Sequence, residues 1–119
     1  MPHIVLEYSH NIFEKDKFQD LFLKIHSVLT EALPTDIKSC KSRAIGYQDY
    51  LLGDGQSEKK SAFVHVSIKV LSGRSPDVLK LTGQKVMDIL KKNFEKSITE
   101  LGLQISLEID ELAVAYFKV

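Results

Sequence analysis

The second residue is a proline at the head of a strand-like run, "MPHIVLEYSH". A strand tolerates proline at its first position, where a fixed φ and a missing N–H do no harm. If Met1 is removed, Pro2 also presents a free secondary amine, a group able to take and return a proton. The four histidines, His3, His10, His26 and His65, lack metal-ligand spacing. His26 falls between apolar helix positions and reads as structural, while His65 lies on the polar side of its strand. Cys40 is the single cysteine and has no assignable histidine partner, so a thiol nucleophile is not expected. "GDG" at 53–55 reads as a turn, and nothing resembles a phosphate-binding loop.

An amine that shuttles a proton near neutral pH must be uncharged. Ordinary α-amino groups titrate at about 7.7–8.0, and the prolyl amine is intrinsically somewhat more basic, so its pKa must fall. Burial lowers it, and neighbouring cations lower it further. The chemistry therefore asks for a buried N-terminus beside positive side chains.

Composition limits the partners. Lys plus Arg and Asp plus Glu number 16 each, for zero net charge. Duplex nucleic acid asks for a basic surplus, so nucleic acid is not an expected partner. A small anion needs only one or two placed cations. No apolar run approaches the roughly 18 residues of a membrane span, and no charged n-region precedes an apolar core as in a signal peptide. A lone cysteine cannot form an internal disulfide and fits a reducing, cytoplasmic setting.

The elements that must position such a site alternate. Residues 2–8 read as a strand. Asn11 stands as an N-cap with Glu14 in the capping-box position, and Phe18, Leu21, Phe22, Ile25, Val28, Leu29, Ala32 and Leu33 follow as a helical stripe that Pro34 stops. "DIKSCKSRAIGYQDY" reads as the second strand and "SAFVHVSIKV" as the third. Ser75 then Pro76 start a second helix, whose stripe of Leu79, Val86, Leu90, Phe94 and Ile98 runs to Gly102. "LQISLEIDEL" is the last strand.

The order is β-α-β twice, one domain over 1–119 with pseudo-repeats at about 2–52 and 60–119, each long enough for a parallel crossover unit. The fold class is α/β in the two-layer α+β sense: a four-stranded sheet with two helices on one face. The other face is partly polar, with Lys41, Arg43, His65, Ser67, Lys69 and Glu108 interleaved. Ile4, Leu6 and Tyr47 are expected to meet another subunit there.

"MPH" leading into a strand, "KSR" on the second strand, "AFVH" on the third, "GRS" before the second helix and "SLEID" then "EL" on the last occur together and in order. Over nearly the whole chain this resembles the tautomerase superfamily, and within it the 5-carboxymethyl-2-hydroxymuconate Δ-isomerase family. The resemblance implies a homotrimer with sheets lining a central barrel and helices outside. It also implies an isomerase without metal or organic cofactor, ketonising a carboxylate-bearing dienol in aromatic-acid catabolism. Pro2 maps onto the catalytic base, and Arg74 of "GRS" with Lys41 and Arg43 onto substrate-binding cations. Apart from the resemblance, Phe117 is read as an apolar wall near the amine. Lys41 departs from the pattern, which has an arginine there. Lysine keeps the charge and loses the planar fork that grips a carboxylate with two bonds. That bears on which substrate is used more than on the chemistry. The alternatives are a tautomerase-like enzyme for another unsaturated oxo-acid and a catalytically idle oligomer that binds ligands or proteins.

Overall fold

Strict alternation in "FVHVSIKV" decides the orientation of the sheet. In the computed structural model, which describes residues Met1–Val119, Val64, Val66, Ile68 and Val70 of strand β3 (Phe63–Val70) are at most 1% exposed, and the residues between them point the other way. β3 pairs antiparallel with β1 (His3–Ser9), matching Leu6 to Val66 and Ile4 to Ile68. β2 (Lys41–Tyr47) lies parallel to β1, and β4 (Gln104–Glu111) parallel to β3, for a strand order β2-β1-β3-β4. Two parallel crossover units thus meet along one antiparallel seam. No helix is long and apolar enough to cross a membrane.

Helix α1 (Phe18–Ala32) buries Leu21, Phe22, Ile25 and Leu29 against this sheet, each side chain contributing about 1.5–3 kcal/mol relative to exposure. On the other unit, α2 (Pro76–Asn93) begins as its sequence predicts: Ser75 Oγ accepts from Val78 N at 3.2 Å, and Pro76 occupies the first turn. A short helix, α3 (Glu95–Leu101), follows and ends at Gly102, whose φ of 65° is one that glycine adopts without a Cβ penalty.

The structure corrects the sequence reading in four places. Ile4 and Leu6 belong to the core, both 0% exposed under the helices, because the even residues of β1 share a face with the valines of β3; of the three residues expected on the open face only Tyr47 stands there. Asn11 caps nothing and instead donates to Ser61 O at 3.1 Å, so α1 starts after Lys17 without a side-chain cap. The second strand is confined to Lys41–Tyr47, since Asp36 accepts from Lys38 N at 3.0 Å and turns the preceding residues into one 3-10 turn, Ile37–Ser39. The second helical stripe breaks at Phe94, where φ −105° and ψ 23° interrupt the helix while the ring stays fully buried. The layer therefore holds three helices rather than two.

Glu14 has a tertiary role instead of a capping one. Its carboxylate, 3% exposed, accepts from Ser97 Oγ at 2.5 Å and Ser97 N at 3.2 Å, and Ser97 Oγ in turn accepts from Phe13 N at 3.0 Å. This ties the approach to α1 onto α3. Removing the hydroxyl leaves a buried carboxylate and a backbone N–H each short of a partner. Ser97→Ala should lower stability by about 1–3 kcal/mol, read as a shifted denaturation midpoint at unchanged slope. A variant as stable as the parent would show that this triad holds nothing.

Candidate active site

Parallel pairing of β1 with β2 brings the start of the chain against the start of β2, where Lys41 N donates to Pro2 O at 3.1 Å. Pro2 is buried, its nitrogen lies in the peptide bond to Met1, and the terminal amine is that of Met1. Beside it opens a cleft of about 310 Å³ walled by Lys38, Lys41, Lys118, Tyr116 and Asp36.

Burial first, then the charge of Arg74, lowers the pKa of this amine below the ordinary α-amino value, with Lys118 and Lys41 adding to the effect and Cys40 opposing it. A lowered amine pKa means a larger neutral fraction at neutral pH. The thiol of Cys40 is itself pushed up by burial and by Asp36, against the amine and Lys41. It stays protonated and is a poor nucleophile.

Arg74 is held from behind. Its Nη2 donates to Leu33 O at 2.7 Å and its Nη1 to Leu71 O at 3.0 Å. Leu33 closes α1 and Leu71 follows β3, so one half-buried guanidinium satisfies carbonyls from both crossover units. Lys41 is exposed, with Nζ 3.3 Å from Ser39 O.

Arg43 stands elsewhere. It projects from the open face of the sheet, its Nη1 3.3 Å from His3 Nδ1, and its charge acts on His3, whose pKa is lowered by burial and then by Arg43 and Lys41. The structure thus gathers Arg74 and Lys41 at the amine and sets Arg43 beside the neighbouring histidine. Phe117 forms no wall within the chain, its ring being 87% exposed.

Two contributors went unmarked in the sequence. Tyr116 Oη lies 3.0 Å from His3 Nε2, and Lys118 Nζ lies 3.0 Å from Met1 Sδ. Both come from the irregular segment after β4, where no periodicity signals position. His26 is structural as read: its Nε2 meets Ser42 Oγ at 2.6 Å, and burial lowers its pKa. No group of three or more His, Cys, Asp or Glu side chains is placed to hold a metal.

The doubled β-α-β sheet is the tautomerase fold, and the chain is a member of the tautomerase superfamily. A sequence model of the 5-carboxymethyl-2-hydroxymuconate isomerase family matches residues 2–118, and the chain belongs to that family and is an isomerase. It is 30% identical over 112 residues to the 5-carboxymethyl-2-hydroxymuconate Delta-isomerase of Escherichia coli, covering 94% of this chain and 87% of that protein. The crystal structure of a 5-carboxymethyl-2-hydroxymuconate isomerase from Deinococcus radiodurans R1 superposes with a TM-score of 0.88 at 30% identity, over 99% of this chain and 88% of that one. A fused 4-OT structure, described as a wild-type symmetric trimer, shares the fold with a TM-score of 0.70 at 15% identity, over 98% and 92% of the two chains.

The electrostatic role of Arg74 is directly measurable. Arg74→Gln keeps a hydrogen-bonding end and removes the charge, so the pKa of the terminal amine should rise towards its ordinary value. The pH dependence of N-terminal acylation reads this out. An unchanged titration would remove Arg74 from the amine's surroundings.

Proposed function

We propose that this isomerase ketonises 5-carboxymethyl-2-hydroxymuconate, the compound named in its family, with the nitrogen of Pro2 as the base once Met1 is removed. The observation that carries the reading is the position of Pro2, buried at the start of β1 with its carbonyl accepting from Lys41 N at 3.1 Å, beside a cleft walled by Lys38, Lys41 and Lys118. The neutral amine takes the proton of the dienol hydroxyl, leaving a dienolate. The resulting ammonium returns the proton to carbon, so the substrate is isomerised with no net change in atoms or electrons. Arg74 and Lys41 hold the carboxylate-bearing substrate and stabilise the extra negative charge of the dienolate. One cluster of cations thereby both tunes the base and binds the anion.

Lys41 favours a second substrate of the same class. A lysine is a point charge without the fork that reads a carboxylate plane, so another unsaturated oxo-acid is the competing substrate. The two separate by their kcat/KM values on the same enzyme. As an assembly we infer a homotrimer, supported by the symmetric trimer of the fused 4-OT fold relative and by the uncovered sheet face.

Loss of a dienol's ultraviolet absorbance follows the reaction. Pro2→Ala should lower kcat/KM about 10²-fold, the low end of what a general base supplies, because alanine still leaves a primary amine. An idle ligand-binding oligomer predicts no difference between the two proteins. The acid limb of the kcat/KM profile reports the free enzyme's base. The burial and cations that lower the pKa of the Met1 amine lie one residue from the Pro2 nitrogen, so activity should persist to a pH below the value of a free prolyl amine and fall off beneath it. An acid limb that persists unmoved in Pro2→Ala would assign the titration to another group.

A further inference from the structure

Arg43 and Tyr116 clasp the two nitrogens of one ring. Arg43 Nη1 lies 3.3 Å from Nδ1 of His3, and Tyr116 Oη lies 3.0 Å from its Nε2. A guanidinium donates and has no lone pair to accept with, so Nδ1 is the accepting nitrogen. In a neutral imidazole the proton then sits on Nε2, which donates to the Tyr116 oxygen. Burial, then Arg43 and Lys41, lower the pKa of His3 and favour that neutral ring near pH 7. The histidine thus engages a lone pair of the phenol and leaves its O–H proton uncommitted, for the Tyr116 hydroxyl makes no other hydrogen bond in the chain.

This donor belongs to the cleft at the start of the chain. Tyr116 lines the same space of about 310 Å³ as Met1 and Lys41. Met1 is bonded to the Pro2 nitrogen, so its removal sets that nitrogen on the cleft. Lys38, Lys41 and Lys118 supply ammonium groups there, point charges that suit carboxylates. Ser39, the other hydroxyl on the cleft, already donates to Asp36 O at 2.6 Å. Tyr116 is therefore the hydroxyl free to donate to a substrate.

We propose that Tyr116 is a further catalytic residue of the isomerisation, its O–H donating to the dienol oxygen that gives up its proton to Pro2. His3 and Arg43 are positioning residues that act through it. The inference rests on the reading of Pro2 as the base. His3 is bonded to Pro2, so the base nitrogen and the ring that orients the phenol are fixed to successive residues. A dienol oxygen within about 2.6–3.2 Å of that nitrogen accepts its second hydrogen bond from the phenol. Hydrogen bonds to an ionised acceptor are roughly twice as strong as neutral ones, so this one tightens as the dienolate forms. Tyr116 keeps its proton throughout. The amine takes the dienol proton and returns it to carbon, and atoms and charge balance.

Steady-state kinetics of the Met1-free protein on 5-carboxymethyl-2-hydroxymuconate read the test. Tyr116→Phe removes one oxygen and keeps the ring. Its kcat should fall about 10²-fold at unchanged KM, as for loss of one oxyanion donor. His3→Leu should give the same fall, and no further fall when added to Tyr116→Phe, because its effect passes through the phenol. His3→Gln, whose amide N–H replaces Nε2–H, should keep most of the activity. An unchanged kcat in Tyr116→Phe would overturn the assignment, and so would a raised KM alone, which places the hydroxyl on a substrate carboxylate. Losses that add in the double variant, or a His3→Gln as slow as His3→Leu, would overturn the positioning role. A wild type without turnover, or a fully active Pro2→Ala, would instead sink the reading of Pro2 itself.

Discussion

The Arg74 guanidinium commits two of its N–H groups to the carbonyls of Leu33 and Leu71, and the candidate site is built around that pair of bonds. Leu33 closes the first crossover helix and Leu71 leaves the third strand. A single cation therefore joins the two β-α-β units at the point where the chain begins. Anchoring by neutral carbonyls leaves its charge uncancelled, where a carboxylate partner would have neutralised it. That is why Arg74 can act on the amine as the largest named charge after burial itself.

Much of this was legible in the residues. The alternation of β3 and the Ser75–Pro76 helix start came through because each rests on local physics that tertiary packing does not oppose. Asn11 and Glu14 misled because a capping box and a carboxylate reserved for a tertiary contact look alike in sequence. Glu14 meets two donors of Ser97, 83 residues away, and no local pattern marks such a bond. The helix break at Phe94 was hidden because its buried ring continues the apolar stripe across the interruption. Ile4 and Leu6 were turned to the wrong face because β1 carries apolar Val5 between them, so its own alternation does not say which side is inside. Only pairing to β3 does.

The site divides the same way. Pro2, Arg74 and Lys41 were marked by type and setting, and the structure brings Arg74 and Lys41 to the start of the chain. Tyr116 and Lys118 arrive from a segment whose placement follows from contacts with His3 and Met1 rather than from periodicity. Arg43, two residues from Lys41, projects from the same sheet face yet acts on His3 instead of the amine. Spacing gives the face on which a strand residue projects. It does not give the partner its long side chain selects.

Zero net charge coexists with a cation-rich cleft because the charges are spread unevenly: Lys38, Lys41 and Lys118 stand at the cleft with Asp36, while Glu108 and Asp110 lie on the far edge strand of the sheet. The terminal amine responds to these cations in a definite order. Burial comes first and Arg74 next, and Lys41 adds the smallest named effect. Arg74, turned towards the carbonyls of Leu33 and Leu71, meets no carboxylate within the chain and keeps its charge. The tuning of the amine therefore rests chiefly on a cation outside the sheet, which leaves Lys41 and its exposed ammonium free to meet an anion.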